Sequence, residues 1–207
     1  MLTGILTTLL LLLGGWLLLQ KRNSGDPSDR FAQCREGVIA GGAGAIGGSF
    51  ELVNMDGATV TEKQVFTKPS LLYFGYTQCP DVCPLDNNRN SMAAAILQEK
   101  GKDVQPVFVT IDPKRDTLDV MRDYSEGYDP KLVGLTGTAE QVKAAADAWR
   151  VYFNARDDGT DPYYLVDHST QTYLVLPGDN TVEFFNRDVT PEQMAERVGC
   201  FLDVADS

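Results

Sequence analysis

The chain has 207 residues, 43% of them hydrophobic, and its 29 acidic side chains against 18 basic ones give a net charge of -11 at pH 7. That length holds one domain with a full core plus extra segments. With so large an acid excess no basic surface is left to displace counterions, which excludes a nucleic-acid binder; an acidic surface suits cationic partners or serves solubility alone.

Leu2 to Leu19 carries no charge and is almost wholly apolar. At about 1.5 Å per helical residue it spans most of a bilayer core of ~30 Å, and it reads as a single transmembrane anchor. Trp16, three leucines and then Gln20, Lys21 and Arg22 follow where a signal peptide would place small residues for cleavage, so the segment is expected to be retained. Lys21 and Arg22 lie after it, and the positive-inside rule taken alone would leave the bulk of the chain in the cytoplasm. Residues 20–49 read as a linker: polar from Asn23 to Arg30, then glycine-dense from Gly41 to Gly48 without the order of a phosphate-binding loop. The glycine run is expected to hug the domain that follows, residues 50–207.

Phe50 to Val53 and Ala58 to Val60 flank an Asp56-Gly57 turn signal and predict an N-terminal β-hairpin. Leu71 to Phe74 suits a buried strand. A helix follows Pro84, with Leu85, Met92 and Ile96 as its inner stripe and Gly101 as its stop. Val104 to Ile111 is a β-branched run ended by Asp112-Pro113. Leu118, Met121 and Tyr124 mark the next helix, and Lys131 to Leu135 a short strand. Thr138 with Gln141 forms a capping box for a helix whose inner stripe is Val142, Ala145, Ala146 and Trp149. Strands are expected at Tyr163 to Val166, Thr172 to Leu176 and Thr181 to Phe185, the last two joined by a turn at Gly178 to Asn180. Thr190 caps the closing helix, with Pro191 at its first position. Strands alternating with helices require parallel crossovers in an α/β sheet, and the late hairpin adds antiparallel strands.

The chemistry concentrates in Tyr73 to Pro84, YFGYTQCPDVCP. Cys79 and Cys83 fall on a strand-to-helix turn, where unpaired peptide N–H groups and the helix dipole stabilise a thiolate. At i and i+4 in a helical first turn they would share a face, able to close a disulfide or to grip one soft metal ion. The other cysteines, Cys34 and Cys200, either pair with each other or are two unrelated buried thiols. The chain's one histidine, His168, interrupts two strand-like runs at a place where α/β scaffolds carry sites. Asp167 is better read as capping the turn or orienting a neighbour than as a ligand, because adjacent strand residues point to opposite faces. Asp81 reads as a turn former or partner contact, and Asp112, Lys114, Arg115 and Asp116 as strand termination and helix entry.

These segments, YFGYTQCPDVCP, VFVTIDPKRDT, VGLTGTAEQV, RVYF and YYLVDHSTQTYLVLPGD, resemble in content and order the Sco/SenC proteins. The resemblance implies a thioredoxin-like fold, here with the N-terminal hairpin and the late hairpin added. It further implies copper, as Cu(I) or Cu(II), held by Cys79, Cys83 and His168. The implied role is a membrane-anchored metallochaperone, not a turnover enzyme, that faces the periplasm from the inner membrane. It would deliver copper to the copper-site subunit of cytochrome c oxidase, with other copper chaperones or thiol reductases as further partners. Many relatives carry a histidine immediately before the first cysteine, where this chain has Gln78. A thiol-disulfide oxidoreductase acting on the oxidase cysteines and a redox or copper sensor stay open beside the chaperone, since a dithiol serves all three; a reductase alone has no need of His168.

Overall fold

The computed structural model describes residues 29–35, 46–129 and 131–207. Leu2 to Leu19 and most of the glycine-dense run lie outside them, and among the described residues no helix is long and apolar enough to cross a membrane. In the N-terminal unit, Met1–Val38, a 3-10 turn covers Ala32–Cys34. The second unit, Ile39–Ser207, holds the elements below.

β1 (Glu51–Asn54) and β2 (Thr59–Thr61) form the expected hairpin. Gly57 adopts φ +80 in its turn, and the Asn54 side chain accepts from the N–H groups of Asp56 and Ala58 at 3.1 and 2.9 Å. A short helix unforeseen from sequence, α1 (Glu62–Val65), leads to β3 (Ser70–Gly75). Then come α2 (Val82–Glu99), β4 (Gln105–Thr110), α3 (Leu118–Tyr128), β5 (Val133–Thr136) and α4 (Ala139–Ala148). β6 (Phe153–Ala155), β7 (Val166–His168), β8 (Thr172–Val175), β9 (Thr181–Phe185) and α5 (Pro191–Ala205) complete the chain. The main sheet runs β2-β1-β5-β4-β3-β8-β9; β3, β4 and β5 are parallel, and the flanking strands antiparallel.

Helix ends follow their capping chemistry. Thr138 and Thr190 each form a reciprocal box with Gln141 and Gln193, and Gly101, at φ +75, closes α2. Alternation along β3 sends side chains to both faces of the sheet. Phe74 packs with Trp149 and Tyr173 on one face, while Tyr73 stacks on Phe108, which meets Tyr124 of α3, on the other. From the glycine run, Ile46 and Gly47 hydrogen-bond to Thr181 and Ala148.

Two expectations are corrected. The inner stripe of α2 is not Leu85, Met92 and Ile96: Leu85 is 60% and Met92 44% exposed, while Cys83, Asp86, Asn87, Asn90, Ala93, Ala94 and Leu97 are buried. The helical period is right, but the buried face begins polar, so counting apolar residues selects the wrong side. Asp86, Asn87 and Arg89 pack inward against partners of their own. The second correction concerns Tyr163 to Val166. The strand starts at Val166 and includes His168, and it pairs with β6 in a separate two-stranded sheet, Phe153 opposite His168. Tyr163 and Leu165 alternate with buried Tyr164 as a strand would, yet they have no ladder partner and stand exposed.

Candidate metal centre

β3 delivers the site. Its last residue, Gly75, has no room for a side chain, since a Cβ there would fall 2.9 Å from the Cys83 sulfur and 2.8 Å from the Tyr73 ring. The chain then turns through Cys79 and enters α2 at Val82. Cys83 therefore lies in the first helical turn and Cys79 ahead of it, a correction to two cysteines within one turn of helix. The geometry still serves both sulfurs, because the free N–H of Cys83 donates to Cys79 Sγ at 3.4 Å.

The turn is anchored from beneath by a residue read from sequence as mere helix entry. Asp116, fully buried, accepts from the Thr77 N–H at 3.0 Å and the Thr77 hydroxyl at 2.6 Å, two residues before Cys79. The Thr110 hydroxyl also donates to it, at 2.6 Å. Burial pushes its carboxyl above the usual carboxylate range while these donors pull it back. Asp112 takes the Tyr164 hydroxyl at 2.8 Å and pairs with Arg115, whose guanidinium also donates to the Tyr164 carbonyl at 2.8 Å, tying the stretch before β7 to the end of β4.

From the other side β7 brings His168. The rings of Tyr73 and Tyr76 meet the imidazole edge-on at 6.2 and 5.9 Å between centroids. Nδ1–H donates to the Ser169 carbonyl at 2.6 Å, which leaves the Nε2 lone pair facing Cys83 Sγ at 3.4 Å. Ser169 is itself fixed on Tyr152, N–H to carbonyl at 2.9 Å and hydroxyl accepting at 3.1 Å. Asp167 points the other way, into a two-point ion pair with Arg156 at 2.8 and 2.6 Å, as expected of its neighbour on a strand.

The donor atoms of Cys79, Cys83 and His168 all lie within 4.8 Å of one another. Such donors sit about 2.0–2.3 Å from an ion, so two on a shared ion are about 3.5–4.5 Å apart, close to what the cluster presents. No fourth His, Cys, Asp or Glu joins the group among the described residues. Two sulfurs and one imidazole are the donor chemistry of copper, and this group could hold it.

The cysteines are unequal. Both are free thiols. The Cys83 thiol, then His168 and the peptide N–H groups of Cys83 and Asp81, stabilise charge on Cys79 and hold its thiol well below the ordinary range; Cys83 keeps the shared proton and is pushed up. Cys79 is therefore expected to react with iodoacetamide at a rate nearly flat from about pH 5 to 8, where an ordinary thiol of pKa ~8.5 speeds up about tenfold per unit. Cys83 should react at least ~10-fold more slowly, being fully buried. Mass spectrometry of partially alkylated protein separates the two, and a Cys79 rate climbing like a free thiol's would refute the assignment.

The SCO1/SenC family model matches residues 40–203. The chain belongs to the SCO1/SenC family. Protein SenC of Rhodobacter capsulatus is 54% identical over 176 residues, which cover 85% of this chain and 79% of that protein. The mitochondrial SCO1 homolog 1 of Arabidopsis thaliana is 41% identical, over 86% of this chain and 53% of the longer relative. Among solved structures, copper-bound Arabidopsis thaliana ScoI is 40% identical with a TM-score of 0.71, over 77% of this chain and 99% of that one. The fold of this Sco/SenC chain is accordingly the thioredoxin-like one the sequence led us to expect. Thr77, Asp116 and Ser169, which support the donors, were legible only as members of the motifs TQC, DPKRD and DHS.

Proposed function

We propose that this chain is a copper carrier that delivers copper to the binuclear copper centre of cytochrome c oxidase during assembly. The observation that carries the reading is the convergence of Cys79, Cys83 and His168 from β3–α2 and β7, with Nε2 free to bind. Support also comes from the solved likeness of copper-bound ScoI. In this reading the two sulfurs and the imidazole hold the ion, Ser169 orients the ring, and Asp116 with Thr77 fixes the turn that carries Cys79. The segment Leu2 to Leu19 anchors the chain in the inner membrane with the domain in the periplasm. A phosphatase fused after Ser207 would then be active outside the cytoplasm, and activity confined inside would overturn that placement.

The test of delivery is transfer. Copper-loaded protein is mixed with the reduced, metal-free soluble domain of the oxidase copper-site subunit, and the subunit's spectrum is followed as copper leaves Cys79, Cys83 and His168. Copper that stays with the donor would sink the carrier reading. A second reading, a thiol-disulfide oxidoreductase for the subunit's cysteines, is favoured by one observation, the stabilised Cys79 thiolate beside a Cys83 that keeps its proton. It predicts that the reduced, copper-free protein opens the subunit's disulfide as Cys79 and Cys83 close their own, and that His168→Ala still does so after copper binding is lost.

A further inference from the structure

One guanidinium reaches both arms of the metal centre without touching a donor. Arg115 lies between β4 and α3, and its side chain is under a tenth exposed. Its Nε donates to Asp112 Oδ2, and its Nη1 donates to the carbonyls of Tyr164 at 2.8 Å and Pro162 at 3.3 Å. The same Nη1 stands 3.5 Å from the side-chain oxygen of Gln78, the residue before Cys79. The guanidinium carbon lies 3.6 Å from the centroid of the Tyr164 ring and 5.5 Å from that of Tyr76, a ring that also meets the His168 imidazole edge-on at 5.9 Å. Nη2 is buried with no hydrogen-bond partner, so the bridge is held at some cost to the ion's own pairing.

His168 needs such a hold. β7 pairs with β6 in a two-stranded sheet apart from the main one, and a lone two-stranded ribbon is at best marginally stable. The stretch that leads into it, Pro162 to Leu165, belongs to no strand. Cys79 and Cys83 follow instead from β3 in the main sheet. We propose that Arg115 is a positioning residue for the metal centre: in contact at once with the segment leading to His168 and with the turn that carries Cys79, it fixes the approach of Nε2 to the two sulfurs. The inference rests on the copper reading above. The planar fork of arginine can pair with a carboxylate, reach two carbonyls and stack on a ring together. A lysine ammonium, a point charge on a flexible stem, can keep the pair with Asp112 but not the bridge. Without the bridge the cysteines keep their places, while the imidazole loses its fixed approach to the ion.

The test compares Arg115→Lys and Arg115→Met in the full chain, each with and without His168→Ala. It reads copper affinity by chelator competition, imidazole nitrogen coupling in the paramagnetic resonance spectrum of the Cu(II) form, and hydrogen exchange of the copper-free protein. Both variants are expected to bind copper at least about tenfold more weakly, the loss found when a group that orients a ligand is removed, with the nitrogen coupling reduced. In the His168→Ala background neither costs further affinity, because the donor being positioned is gone. In copper-free protein the amides of Val166 to Ser169 exchange at least about tenfold faster, while those of β3 and β4 keep their wild-type rates. Arg115→Met leaves Asp112 buried without its counter-ion, so if its urea midpoint collapses, Arg115→Lys, which keeps that pair, decides the question. A residue that only supported the fold would lower affinity equally with and without His168 and speed exchange in every strand. Either result, or wild-type affinity in Arg115→Lys, would overturn the inference while the copper reading stands. Wild-type protein that takes up no copper would overturn both.

Discussion

His168→Ala is expected to lower copper affinity by at least about 100-fold, since losing even a residue that supports a ligand costs 10–100-fold in metal affinity. The reasoning is geometric. Nε2 is the donor brought from outside the strand-turn-helix unit, and it faces Cys83 Sγ at 3.4 Å with its tautomer fixed by the Ser169 carbonyl. Gln78, which stands beside Cys79, offers no imidazole as a substitute, and its amide lies instead near Arg115 at 3.5 Å. The fold should tolerate the change, because the ring is half-buried and, beyond the Ser169 carbonyl and the Cys83 sulfur, meets two aromatic rings edge-on. A small loss in unfolding midpoint with a large loss of Cu(I) and Cu(II) binding is the expected pattern, read by chelator competition and by the sulfur charge-transfer bands. Unchanged bands and affinity would mean that the donor set is wrong.

How much of this was legible in the sequence depends on how local the signal is. The capped helices, the Asn54 to Gly57 hairpin and the buried strand ending at Gly75 are set by residues within a few positions of one another, and they appear where expected. Cys79 and Cys83 belong to one such local unit. His168 was marked by its break in a β-rich stretch, but its strand was misplaced because the ladder partner, Phe153–Ala155, is too short to announce itself. The buried face of α2 was hidden for a different reason. Asp86, Asn87, Arg89 and Asn90 are interior only because Tyr73, Tyr124 and Thr172, remote in sequence, complete their hydrogen bonds. Asp116 is the same case, with its partners on Thr77 and Thr110.

That polar interior makes Arg89 the residue whose loss should cost most in stability. Its guanidinium donates to the Asn186 carbonyl at 3.0 Å and the Thr172 hydroxyl at 2.9 Å, and it stands 3.4 Å from the Asp86 carboxylate, with both side chains under a tenth exposed. Arg89→Met keeps most of the volume but leaves Asp86 with the Tyr73 hydroxyl and the half-exposed Arg187. Breaking a buried pair by removing one partner costs about 3–5 kcal/mol, and the urea midpoint should fall accordingly with little change in slope. The cost should also depend on pH with a definite sign. Burial already holds the Asp86 carboxyl above its unfolded value of about 3.9, so its favourable contribution is present below that value and fades as pH rises through the folded one. Without Arg89 the folded value rises further, which makes the deficit largest near neutrality and smaller toward about pH 4. Asp86→Asn in the same chain should recover part of the loss, because a neutral amide needs no counter-charge. A deficit below about 1 kcal/mol, or one that stays flat across that range, would show that the guanidinium packs against α2 without sustaining its charge.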